Sequence, residues 1–361
     1  MTLIRPSAEV ADAGEPARRP GPGRAIAVLV LVVLAVLIPL FGPSAALHGT
    51  GEAAAPGAGG VALLRTVLFA ALCVPLGELF VARLARSVPG APRDAPRSWA
   101  PFAAVAGLVA ALGLASVVAT GNLMPHSLSE IDVGGLYQSR DGKLALLEVN
   151  AFLVAALCAG SGRPAVQVWP LAAVVVAEAL RAHPATEHSP LVGSGLTLAH
   201  LTCAALWTGG LLHVLRTLRR WGGTGAGPVD PGAAEPAPAE SGGRAESRSA
   251  ASGTALIGLY ARVAAVLLAT VTATGVWSSL RRMPPGTVLE QLTDTAYGRV
   301  LLAKVLLVAV VAALALWART RLRRAADPLA ACVPARVEVV ALGLVVVVSG
   351  LLTALPHPIR W

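Results

Sequence analysis

Residues 99–121, WAPFAAVAGLVAALGLASVVATG, are 23 consecutive positions without a charged side chain. As a helix rising 1.5 Å per residue, the run is about 34 Å long, enough to cross the ~30 Å hydrocarbon core of a bilayer. A surface helix of a soluble domain would carry a polar stripe; here the hydroxyls of Ser116 and Thr120 are the only polar groups apart from the indole N–H of Trp99. Working outward, similar runs occupy residues 25–41, 61–81, 144–159, 166–182, 196–215, 255–280, 298–318 and 337–355. Hydrophobic residues make up 55% of the chain and charged ones 14%, against roughly 25% charged in soluble domains. The fold class that follows is an all-α polytopic membrane protein of about nine transmembrane helices. The fourth and fifth runs are short and carry Glu148 and Glu178, so their crossing is the least secured by composition.

The net charge of +9 is distributed by side rather than gathered for nucleic acid. With the N-terminus inside, nineteen of the 29 Lys and Arg fall in cytoplasmic segments. They cluster at 5–24, 83–97, 163, 216–248 and 319–336. This is the positive-inside asymmetry, and it places the C-terminus outside. The basic residues set topology; the expected partner is the lipid bilayer, with no nucleic acid. Localisation follows as a multi-pass protein of the plasma membrane. Ser44-Ala45-Ala46 is an acceptable cleavage site, but the 24 residues before the first run are long for a signal peptide, so retention as an anchor is expected.

The chain then divides into a disordered cytoplasmic N-terminus (1–24), an anchor (25–47), a first membrane half with span six (60–221), a disordered Gly-, Pro- and Ala-rich cytoplasmic linker (222–253) and a C-terminal membrane region (254–361). Spans two to five and six to nine start on the same side, so a duplication would be a parallel one. Matches fall in order: Ala70-Ala71-Leu72 with Ala204-Ala205-Leu206, Ala119-Thr120-Gly121 with Ala273-Thr274-Gly275, and Met124-Pro125 with Met283-Pro284. Gly142-Lys143 corresponds to Gly298-Arg299, and His183-Pro184 to His357-Pro358. The architecture expected is an anchor followed by two parallel four-helix repeats.

Five of the seven histidines, His48, His126, His183, His188 and His357, fall in outer segments, with Met124 and Met283. Thioether and imidazole together suit copper, thioether favouring Cu(I), better than magnesium or calcium. A twofold arrangement would gather Met124, Met283, His183 and His357, with His126 nearby, around one outer mouth. His200 lies in the outer part of span six, placed to receive an ion from that mouth, while His213 lies about 20 Å further along the helix and reads as structural. Ionisable groups inside hydrocarbon are functional candidates. Glu148 and Lys304 sit at matching depths and would pair across the axis, as would Arg262 and Glu338. Trp207, Gly209 and Gly210, with Thr274 and Gly275, read as helix-packing positions. Cys73, Cys158, Cys203 and Cys332 show no paired spacing, so neither a disulfide framework nor a thiolate metal site is expected. No haem is expected either, because spans two, four, seven, eight and nine contain no histidine to complete a bis-histidine site. There is no GxSxG, HExxH or Walker loop, so an enzyme is not expected.

In order, His200, Trp207-Thr208-Gly209-Gly210, Tyr260, Arg262, Thr274-Gly275, Tyr297-Gly298-Arg299, Lys304 and Glu338 resemble the copper resistance protein D (CopD) family over residues 195–356. The resemblance implies copper handling at the plasma membrane, generally movement of copper into the cell, with copper as the bound ion. It also implies an extracytoplasmic copper-binding protein as a partner. Two other classes stand beside it: a membrane protein that delivers copper for oxidase assembly without transport, and a haem- or quinone-linked redox protein.

Overall fold

The computed structural model describes residues 22–53, 55–121, 127, 132–161, 163–183, 189–223, 239–283, 285–324 and 332–356. Their elements are α1 (Pro22–Leu47), α2 (Ala58–Arg86), α3 (Ala100–Thr120), α4 (Val133–Gln138), α5 (Arg140–Ala159), α6 (Val168–Arg181), α7 (Pro190–Gly223), α8 (Ala239–Arg282), α9 (Val288–Asp294), α10 (Ala296–Arg324) and α11 (Cys332–Leu352). A 3-10 turn, Pro164–Gln167, leads into α6, and another, Pro285–Thr287, leads into α9. Eight helical segments are long and apolar enough to cross a membrane. The two short runs are among them, as Arg140–Ala159 and as Pro164–Arg181 with its leading turn. The apolar, 21-residue α11 occupies the ninth expected position. The chain is a multi-pass, all-α membrane protein. Inner and outer below follow the charge distribution.

α2 and α7 cross backbone to backbone. A Cβ on Gly209 would collide with the Cys73 carbonyl, and one on Gly77 with the Gly209 backbone. Glycines at the crossing let the helices close to a distance that side chains would forbid. On one side of this contact α3 and, more lightly, α6 pack on α2, and α5 packs on α3 and α6, while α8 packs on α7 and α11 on α2 and α7.

The expected duplication has a local structural counterpart. In the first half, α4 ends at Ser139, whose Oγ accepts the Gly142 N–H at 3.0 Å and so caps α5. In the second half, α9 ends at Thr295, whose Oγ1 accepts the Gly298 N–H, also at 3.0 Å, and caps α10. Both cap residues are extended, with ψ of 150° and 148°. Both glycines are required by close approach: a Cβ on Gly142 would strike the Leu136 backbone, and one on Gly298 the backbone of Gln291 and Leu292. A short outer helix, a hydroxyl cap and a glycine thus recur in register.

The halves are not equally closed. α3 packs along α5, where the buried Phe152 ring fills the space left by Gly107. The α8 helix packs on α7 and more lightly on α2, without a comparable contact to α10. In the second half Ala261 and Val308 stand at the positions of Gly107 and Phe152 by the sequence matches, so this ring-into-glycine contact is missing.

α8 begins at Ala239, inside the stretch 222–253 that composition reads as a linker. The helix continues without a break from these residues into the span. Residues 1–21 and 224–238, the remainder of both expected disordered segments, lie outside the described residues. α1 packs against α2, α11 and α10.

Gly209→Val should lower stability by about 2 kcal/mol or more, overpacking of 1–3 kcal/mol being usual, whereas Gly195→Ala, with open space at its Cβ, should be neutral. Thermal unfolding in detergent measures both.

Candidate metal site

His200 projects from α7 towards α8, where Thr274 and Gly275 receive it. Its Nδ1 is 3.0 Å from Thr274 Oγ1, and a Cβ on Gly275 would lie 3.4 Å from its Cε1. The tautomer follows from proton counting. The Thr274 hydroxyl has one proton and lies 2.7 Å from the Thr270 carbonyl and 3.2 Å from that of Val271. Its proton goes to a carbonyl, so the oxygen accepts from His200 Nδ1–H, leaving the lone pair on Nε2. A metal-ligating histidine usually donates its other ring N–H to a carboxylate, backbone carbonyl or water; here the Thr274 hydroxyl takes that place. Lys304 of α10 is within electrostatic reach of the ring.

Deeper along α7, the buried Tyr260 donates its hydroxyl to the Trp207 carbonyl at 2.7 Å. Gly210 leaves room for Tyr260 and Phe80, whose rings meet at 57° with centroids 6.5 Å apart. Glu338 is buried with its charge felt at Tyr260. Arg262 lies on the exposed face of α8 and takes part in no ion pair among the described residues, so its expected pairing with Glu338 is not formed.

Glu148 also has a different partner from the one its depth suggests. Arg181 Nη1 donates to Glu148 Oε2 and to Glu178 Oε1, each at 2.9 Å, and Arg65 also holds Glu178. Two carboxylates and two guanidiniums from α2, α5 and α6 thus neutralise one another inside the first half. Depth alone misplaced the pair: α5, which carries Glu148, packs on α3 and α6, whereas α10, which carries Lys304, packs on α11. Arg140 ties the same region together by donating to the Leu180 and His183 carbonyls at 2.8 and 3.1 Å. Arg65 and Arg181 were missed in the sequence as partners. The available signal was two unmatched glutamates on adjacent spans.

The outer mouth is less open than the sequence suggests. His183 is buried, its Nε2 lies 2.9 Å from Thr197 Oγ1, and Gly193 provides the space for its ring. Met283 is also buried. Met124, His126 and His357 lie outside the described residues. Among the described residues, no three of His, Cys, Asp and Glu converge on a metal-sized site. His213 has a structural setting at the inner end: its Nδ1 accepts from Arg216 at 3.1 Å, and the Arg216 guanidinium stacks 3.7 Å from the Trp99 ring.

The family model for copper resistance protein D matches residues 254–354. This stretch is similar to that family. The copper resistance protein D region runs from within α8 to the end of α11 and contains Tyr260, Thr274, Gly275, Lys304 and Glu338; α7, with His200, precedes it. No curated protein sequence and no solved structure matches the chain.

Removing Arg181 by Arg181→Met strands the buried Glu148, while Glu178 keeps Arg65, and should cost about 3–5 kcal/mol. Adding Glu148→Gln should recover part of the loss, as chemical denaturation of the purified protein would report.

Proposed function

We propose that the protein carries copper across the plasma membrane into the cell, with His200 as a ligand inside the membrane. The observation that supports this reading is the fixed imidazole. A neutral histidine with its Nε2 lone pair free, held by Thr274 and Gly275 of a copper resistance protein D region, is a ready ligand for a borderline or soft ion. Copper is the substrate here, delivered at the outer face by Met124, His126 and His357 or by an extracytoplasmic copper-binding protein, with His183 and Met283 buried beneath that face. The crossing runs beside α7 in the less closed half. The first half supplies the rigid wall, because its charges are neutralised internally. Glu338 and Lys304 stand beside the path at different depths, and Arg262 lies on the exposed face of α8.

Delivery of copper to an oxidase without transport is the rival reading, and purified protein in liposomes separates the two. Transport predicts copper accumulation in vesicles that contain no partner protein; delivery predicts none.

His200→Ala should abolish most of the accumulation, while Thr274→Val, which removes only the orienting hydroxyl, should weaken copper affinity about 10- to 100-fold. Radioactive copper uptake by cells measures the first and equilibrium binding the second. Uptake unaffected by His200→Ala would remove this site, and equal copper content in null and wild-type cells would remove the copper reading.

A further inference from the structure

Cys203 follows His200 by three positions on α7, one turn deeper on an adjoining part of the same face. Ligand pairs at this spacing chelate metals in helical bundles, as the Glu-x-x-His motif does. Cys203 is a free, half-buried thiol packed against the second-half core of Trp207, Leu211, Tyr260 and Leu267. It therefore lies between the His200–Thr274 contact and the Tyr260–Trp207 hydrogen bond. The other described cysteines are placed differently. Cys73 is buried at the α2–α7 crossing, and Cys158 sits at the inner end of α5.

Charge explains why a thiol is needed. A copper ion at His200 stands inside a span with the Lys304 side chain within electrostatic reach, and a cation in hydrocarbon is costly unless an anion accompanies it. Of the glutamates in the described spans, Glu148 and Glu178 are held by Arg65 and Arg181 and Glu78 accepts the Trp99 N–H, while Glu338 lies deeper, at the level of Tyr260. The nearest anion that α7 can offer is the Cys203 thiolate, the soft ligand that Cu(I) prefers.

We propose that His200 Nε2 and Cys203 Sγ together bind Cu(I). The thiol loses its proton as the sulfur–copper bond forms, the proton leaves to the outer aqueous phase, and copper remains Cu(I). The bound unit of thiolate, Cu(I) and neutral imidazole carries no net charge, which lowers both the cost of entering the bilayer and the repulsion from Lys304. This rests on the copper reading above and departs from the expectation, drawn from cysteine spacing, that there is no thiolate metal site.

The test is anaerobic loading of the purified full-length protein with Cu(I), followed by X-ray absorption at the copper edge and competition with a chromophoric Cu(I) chelator. Wild type should show one sulfur and at least one nitrogen neighbour. Cys203→Ser and Cys203→Ala should both lose the sulfur and bind Cu(I) at least about tenfold more weakly, since loss of an outer-shell partner alone costs 10- to 100-fold. His200→Ala should retain sulfur and lose nitrogen, and Cys73→Ser and Cys158→Ser should match wild type. Sulfur that persists in both Cys203 variants, or wild-type copper with only nitrogen and oxygen neighbours, overturns the pair while leaving copper binding intact. Wild-type protein that binds no Cu(I) overturns the copper reading itself.

Discussion

The backbone contact between α2 and α7 at Gly77 and Gly209 governs the rest of the structure. In lipid, helices gain little from hydrophobic burial against one another, so close approach at small residues must supply the packing energy. Once the two helices cross at this distance, α3 and, more lightly, α6 pack on α2 with α5 on α3 and α6, α8 lines up along α7, and α11 fills the side shared by α2 and α7. The position of His200 also follows. It lies nine residues before Gly209 on α7, and the α7–α8 packing brings it to Thr274.

The two halves share an outer plan and differ in their interiors. Both halves use the same outer device, a short helix and a hydroxyl cap followed by a glycine. Inside, the first half spends its polar groups on one another: Arg65, Glu148, Glu178 and Arg181 form a closed set, and Phe152 seals α3 to α5. The second half has no such set among its described residues. Its polar side chains lie at successive levels along α7, from His200 with Thr274 to Tyr260 with Glu338, beside a helix that packs mainly on α7. Charges that neutralise one another stiffen a bundle, whereas separated polar groups with free lone pairs can receive an ion.

Much of the architecture was legible in the sequence because the bilayer imposes a length on apolar runs and a sign on the flanking loops. Even the two short runs form helical segments long and apolar enough to cross. Their glutamates did not prevent this, because neighbouring arginines compensate them. The partners were not legible. Pairing Glu148 with Lys304 relied on depth, which hydropathy encodes, while the real partner depends on which helices touch, which it does not. His200 was legible as a candidate, but its Thr274 and Gly275 setting was read as packing alone. His183 and Met283 look exposed in sequence because they lie in loops, yet folding buries both. The helical start of α8 at Ala239 was masked by Gly and Ser, which composition counts as linker although they continue a long helix.

The central claim is that copper binds in the second half, against α7 at His200. A structure of the protein prepared with Cu(I), with anomalous scattering recorded at the copper edge, tests it most directly. The account predicts a copper peak between α7 and α8 at His200. A peak confined to the Arg65–Glu178 cluster or to the outer loops, with none beside His200, would contradict it.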